Sequence, residues 1–156
     1  MPQSPSCSPT RAALMTGMHE FRNGVTHTMN PRTNLFKGAV TLPDLLKTAG
    51  YRNGFIGKWH IGSNRNGSGY GPKDRGFDWS STTSGGVRVF FDPDVIRNEH
   101  RSPRKGFRED IYFDEAMAFI DETRDQPFFC YLSTYSPHFP LRAPDKCLYS
   151  RFESGL

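Results

Sequence analysis

Three short clusters in this 156-residue chain hold side chains able to act on an anion. The first is Cys7-Ser8-Pro9-Thr10-Arg11, with the cysteine just ahead of a predicted helix. Unpaired N–H groups and the helix dipole favour negative charge at such a point. Arg11 follows about one turn later, and its fixed fork of donors can reach back to the same spot. The second cluster is Gly57-Lys58-Trp59-His60-Ile61-Gly62, at the end of a predicted strand. Lys58 and His60 alternate to one side while Trp59 points to the other. Lysine offers a point charge for an oxyanion, and histidine a proton donor that switches near neutral pH. The third is Ser136-Pro137-His138-Phe139-Pro140, where two prolines stiffen the backbone around one imidazole.

Taken singly, each cluster also has an ordinary reading. A cysteine near a helix start is as readily a half-buried thiol. Lys58 and His60 suit a turn with a surface lysine and a packed histidine, and His138 suits a rigid turn with no task. Together the three place positive charge and proton donors around one cysteine, which is a suitable cradle for an anionic ester.

The elements that must position them are also legible. Ser8 as N-cap, Pro9 at the first helical position and Gly17 as the stop predict a first helix. A second is predicted from about Thr41, with Leu42, Leu45, Leu46 and Ala49 on one stripe and Gly50 closing it. Residues 51–56 read as a short strand ended by Gly57. The stretch from Ser63 to about Gly106, rich in Gly, Ser, Arg and Pro, reads as a long irregular excursion. A third helix fits Asp110 to Arg124, with Ile111, Ala118 and Phe119 among its apolar residues. The aromatic-rich run Phe128 to Thr134 reads as a buried strand. Helix then strand, twice, predicts an α/β layer with parallel strands, and in such sheets sites gather at the C-terminal strand ends.

Composition sets outer bounds. The hydrophobic fraction of 35% and charged fraction of 23% fit a globular domain rather than a disordered chain. No apolar run approaches the roughly 20 residues that span a bilayer. No basic segment followed by an apolar one marks a signal peptide. The net charge of +4 and pI near 9.1 favour anionic partners. The densest basic run, Arg97 to Arg108, reads as a solvated loop and lacks the aromatic interleaving of a single-strand nucleic-acid binder. Three cysteines with no CxxC spacing argue against a disulfide framework. Cys130 reads as a buried, inert thiol, and nothing marks Cys147 as special.

Pro5-Ser-Cys-Ser-Pro-Thr-Arg-Ala-Ala-Leu-Met-Thr-Gly17 resembles the first signature of the type I, formylglycine-dependent sulfatases throughout its length. Gly50-Tyr-Arg-Asn-Gly-Phe-Ile-Gly-Lys-Trp-His60 resembles the second. Pro137-His138-Phe139-Pro140 is similar to the family's later histidine turn, and Gly76-Phe77-Asp78 fits the segment between. Two departures are Asn53, where Ser or Thr is usual, and Met18, where a basic residue is common. The resemblance covers nearly the whole chain. It implies an alkaline-phosphatase-like α/β sandwich, with a mostly parallel sheet flanked by helices. It further implies that residues 1–156 form a partial catalytic domain, lacking the first strand and the C-terminal part and so leaving an unpaired sheet edge.

The resemblance also implies the chemistry. A formylglycine-generating enzyme or equivalent maturase would oxidise Cys7 to formylglycine, whose hydrate carries one hydroxyl to attack a sulfate ester and a second to expel sulfate. Arg11 would hold that group. Lys58 would contact the sulfate oxygens, His60 would assist proton transfers, and His138 would face the sulfate or leaving oxygen. Lys58 and His138 are thus the substrate-binding pair. The family also uses calcium, for which the modified Cys7 would be one ligand. The paired aspartates upstream and the Asp-Asn or Asp-Gln pair downstream have no counterpart here, and Asp92-Pro-Asp94 matches no family position. The expectation is therefore a sulfuric ester hydrolase acting on a carbohydrate or aryl sulfate, with this polypeptide inactive alone, and periplasmic or secreted. Two alternatives stay open: a phosphonate or phosphodiester hydrolase of the same superfamily, and an inactive basic anion-binding module. A nucleic-acid partner and a membrane span are not expected.

Overall fold

The computed structural model describes residues 5–62 and 70–144. The first helix, α1, runs Cys7–Thr16 with Ser6 as its N-cap, so it starts earlier than predicted. Cys7 therefore lies in the first turn rather than ahead of it. Pro9 is tolerated at the third position because first-turn N–H groups have no partner within the helix. Gly17, at φ 66°, ends α1 in the left-handed conformation, and its N–H bonds the Ala13 carbonyl at 2.8 Å. A four-residue helix, α2, follows at Glu20–Asn23. The next, α3, spans Leu42–Thr48, and the Asp44 carboxylate accepts from the Thr41 N–H at 2.9 Å.

The stripe predicted on α3 does not face the core. Leu42 and Leu45 are exposed, and the helix docks by its first turn through buried Thr41 and Pro43. Asn53 makes that docking specific. Its side-chain N–H groups donate to the Pro43 carbonyl at 2.8 Å and the Gly76 carbonyl at 3.0 Å.

Five strands form one sheet: β1 (Arg52–Gly57), β2 (Trp79–Thr83), β3 (Asp94–Arg97), β4 (His100–Pro103) and β5 (Phe128–Ser133). Their order is β4-β3-β2-β1-β5. Strands β5, β1 and β2 are mutually parallel, while β3 and β4 add an antiparallel hairpin at one edge, so three of the five strands of this mixed sheet are parallel. The stretch predicted as irregular from Ser63 to Gly106 holds three of these strands, apart from 63–69, which lie outside the described residues. The polar faces of Trp79-Ser-Ser-Thr-Thr83 and the short, charged hairpin concealed the strand period.

Nor is the basic run Arg97 to Arg108 simply solvated. Arg97 and Arg104 both bond Glu115, which is 1% exposed, and Arg108 is itself 1% exposed. Burial pushes the Glu115 carboxyl up, but the Arg97 bonds and the charges of Arg97 and Arg104 carry it below its ordinary value.

Helix α4, Arg108–Thr123, covers one sheet face. Successive residues of β1 point to opposite faces. Phe55 packs with Ala12, Met15 and Phe77 on one side, while Ile56 packs with Trp79, Tyr112 and Phe119 on the other. Each fully buried aromatic of this kind contributes about 2–3 kcal/mol. Ala116, not Ala118, lies in that layer. A Cβ on Gly54 would sit 2.6 Å from the Phe119 ring, so glycine here sets how closely α4 approaches. Strand β5, read as buried, is only half-buried for most of its length because it closes the described sheet at one edge. Cys130 within it is half-buried, and burial pushes its thiol up. Cys147 lies outside the described residues.

Candidate active site

The parallel strands β1 and β5 run in register from Arg52 opposite Phe128 to Gly57 opposite Ser133, so their C-terminal ends finish together. Gly57 makes the junction possible. It sits at φ 106°, and a Cβ there would run into the Ser133 carbonyl. That carbonyl instead accepts from the Lys58 N–H at 2.7 Å. The segment after β1 and the turn after β5 therefore emerge side by side.

Helix α1 delivers the remaining groups. Arg11 donates to the Lys58 carbonyl at 2.7 Å and also to the Ser133 hydroxyl, which itself donates to the same carbonyl at 3.2 Å. Its guanidinium thus ties α1 to both strand ends. The Cys7 sulfur lies 3.1 Å from Nδ1 of His60, and the Lys58 side chain is close enough to interact with it electrostatically.

Lys58 is 5% exposed, and its ammonium is held below the usual lysine range. Burial is the main cause and the Arg11 charge adds to it, while Cys7 acts in the opposite direction. His60 is likewise held below the imidazole range, first by burial and then by the charges of Lys58 and Arg11. A hydrogen bond to the Thr28 backbone opposes this. At φ 57°, His60 is in the left-handed region that non-glycine residues rarely adopt. Such strain persists only where surroundings over-determine it, and here Cys7 and Thr28 fix the ring.

The His138 turn closes the group. Its backbone N–H bonds the Tyr135 carbonyl at 2.9 Å, and ring Nδ1 donates to the Phe139 carbonyl at 2.6 Å. This leaves Nε2 for a ligand. His138 is close enough to His60 for its charge to count there. An open cavity of about 810 Å³ is lined by Lys58, His60, Ser84, Gly85, Tyr135 and His138.

All five residues singled out from the sequence thus lie in one place: Cys7, Arg11, Lys58, His60 and His138. Trp59 packs against the Phe55 cluster and donates to the Tyr70 carbonyl at 2.7 Å, yet it also contributes to the cavity lining. Sequence reasoning missed Ser133 and Tyr135, which flank the histidine turn, and the buried pair Arg108 and Glu109 behind it. Only the adjacency of Tyr135 to the turn signalled any of these, since Arg108 was masked by its basic run.

The titratable side chains that surround Cys7, those of Arg11, Lys58, His60 and His138, are all basic. Among the described residues no three His, Cys, Asp or Glu side chains gather to hold a metal ion. The described residues therefore do not supply the hard oxygen ligands that calcium requires. An oxygen-bearing group on residue 7, in contrast, fits the donors Lys58 and His60 that already face the cysteine sulfur. Among the described residues no helix is long and apolar enough to cross a membrane.

The Sulfatase family profile matches residues 2–155. The uncharacterized sulfatase YdeN of Escherichia coli strain K12 is 30% identical over 171 residues, covering 94% of this chain and 30% of that protein. The structure of BT4656 in complex with its substrate D-glucosamine-2-N,6-O-disulfate superposes with a TM-score of 0.71 at 30% identity, over 85% of this chain and 25% of that one. Ps i-CgsB in complex with k-i-k-neocarrahexaose gives 0.82 at 26% identity, over 95% and 38%. The chain spans about a third of the length of the curated relatives it matches.

Proposed function

The chain belongs to the sulfatase family, with its alkaline-phosphatase-like fold, and from that premise we propose that it supplies the nucleophile and much of the anion cradle of a sulfuric ester hydrolase. One observation carries the reading: the Cys7 sulfur meets His60 Nδ1 at 3.1 Å and lies within electrostatic reach of Lys58, both on the segment after β1 and far away in sequence. Conversion of Cys7 to formylglycine by a maturase would supply a hydrated aldehyde with a nucleophilic hydroxyl and a second hydroxyl to release sulfate.

The chain's own residues do the rest. Lys58 places a positive charge beside residue 7, where the sulfate oxygens gain charge in the transition state. His60, kept neutral by burial and its cationic neighbours, can accept a proton at Nδ1. Arg11 fixes the ends of β1 and β5 and adds to the positive field. His138 offers Nε2 at the cavity wall to the leaving oxygen.

The substrate is a sulfate ester, and a carbohydrate sulfate fits best. The cavity is wide and open rather than a narrow slot, and BT4656 is described with a sulfated glucosamine as its substrate. A periplasmic or secreted location belongs to the same proposal. To test it, the full-length enzyme is coexpressed with a formylglycine-generating enzyme, and the tryptic peptide containing residue 7 is analysed by mass spectrometry. Phenyl sulfate and phenyl phosphonate turnover are then compared. An aldehyde at residue 7 with preference for the sulfate supports the proposal. An unmodified thiol, or preference for the phosphonate, overturns it.

A further inference from the structure

Behind the histidine turn lies a buried charged pair with no part in the proposed chemistry. Arg108 and Glu109 open helix α4 and are 1% and 7% exposed. Charged residues are seldom buried so fully unless they are paired and satisfied. The two partly satisfy each other, since Arg108 Nε and Nη2 lie 3.4 and 3.3 Å from Glu109 Oε1. Their other side-chain hydrogen bonds go to Gly86 and Tyr135, which line the cavity, and to Ser136 beside it.

Glu109 accepts from two successive backbone amides, Tyr135 N–H at Oε2 and Ser136 N–H at Oε1, both at 3.3 Å. These are the residues immediately before Pro137 and His138. A carboxylate receiving two adjacent N–H groups holds a peptide segment in one orientation. Arg108 Nη1 donates to the Gly86 carbonyl at 2.8 Å, and Gly86 belongs to the opposite cavity wall. The guanidinium also lies 4.0 Å from the centre of the Tyr135 ring, over which the Lys58 ammonium stands at 5.4 Å. The pair thus touches the His138 turn, the Gly86 loop and, through one aromatic ring, the lysine beside residue 7.

We propose that Arg108 and Glu109 are positioning residues, a buried clamp that sets His138 and Lys58 relative to each other for catalysis. Neither reaches the reacting atoms. Their task is to hold the donor turn where a misplacement of about 1 Å costs up to roughly 100-fold in rate. The role rests on the sulfatase reading, but the clamp itself does not, so the two can fail separately.

The test uses Glu109→Gln and Glu109→Asp. Gln keeps the size but loses the charge and one acceptor, whereas Asp keeps both oxygens on a shorter stem. Amide exchange at Tyr135 and Ser136, measured on the folded chain, reads the clamp whatever the activity. Faster exchange in Glu109→Gln, with partial recovery in Glu109→Asp, supports it, and unchanged exchange overturns it. In the full-length enzyme, Glu109→Gln is expected to lower kcat by roughly 10- to 100-fold with a smaller change in KM, and Glu109→Asp to restore part of it. Loss of exchange protection with kcat unchanged overturns the positioning role while leaving the sulfatase reading intact. If Glu109→Gln does not fold, Arg108→Lys, which keeps the charge but loses the fork, answers by the same measurements.

Discussion

The Cys7 sulfur and Nδ1 of His60 stand 3.1 Å apart although 53 residues separate them in the chain. That contact needs α1, β1 and the left-handed backbone of His60 all to be in place, so it reports the assembly of the site as a whole. Replacing His60 by Gly would relieve the strain at φ 57° yet remove the ring. His60→Gly should therefore change stability by no more than about 1 kcal/mol while abolishing turnover in the full-length enzyme. Thermal unfolding and initial rates, measured on the same preparations, check both parts.

The Ser133 hydroxyl joins the Arg11 guanidinium to the Lys58 carbonyl. Ser133→Ala leaves Arg11 its bond to that carbonyl but removes the bridge. The expected cost is about 1 kcal/mol in urea unfolding, with the slope of the transition unchanged.

Close packing predicts a larger effect at Gly54. Its absent Cβ would meet the Phe119 ring at 2.6 Å, and a fully buried ring between sheet and helix has little room to move. Gly54→Ala should destabilise the domain by about 1–3 kcal/mol, and pairing it with Phe119→Leu should recover part of that loss. A double-mutant cycle in urea measures the coupling.

Acid stability should depend on Glu115. Its carboxyl titrates below the ordinary carboxylate value in the folded chain, so the folded state binds fewer protons than the unfolded one in that range. The contribution is present above about pH 4.5 and is lost as pH falls through the depressed value. Glu115→Gln should flatten the fall in unfolding free energy on the acid side. At neutral pH it should cost roughly 1–3 kcal/mol, towards the lower end because Arg97 and Arg104 are both well exposed.

The legibility of this protein in its sequence follows what local chemistry determines. Gly17 and Gly57 mark a helix stop and a strand end because only their backbones take those angles cheaply. The three reactive clusters were visible because they sit at a helix start, a glycine-ended strand and a proline-bounded turn. The β3–β4 hairpin was hidden, since its short strands are held by partners rather than by a hydrophobic alternation of their own. Leu42 and Leu45 carry helical spacing without facing the core, because period reveals a stripe but not what covers it. Arg108 was hidden for a similar reason. Charge in a basic run suggests solvent, and only the fold reveals that the Tyr135 ring and the Gly86 carbonyl wait to receive it.

In the proposed function, fixed positive groups around residue 7 grip a tetrahedral dianion. A titration of the folded chain with inorganic sulfate, followed through the imidazole signals of His60 and His138, tests it most directly. Saturable shifts of both signals, weakened at least tenfold by Lys58→Met, are the predicted result. Signals that do not respond to sulfate, or that respond equally in the variant, would contradict it.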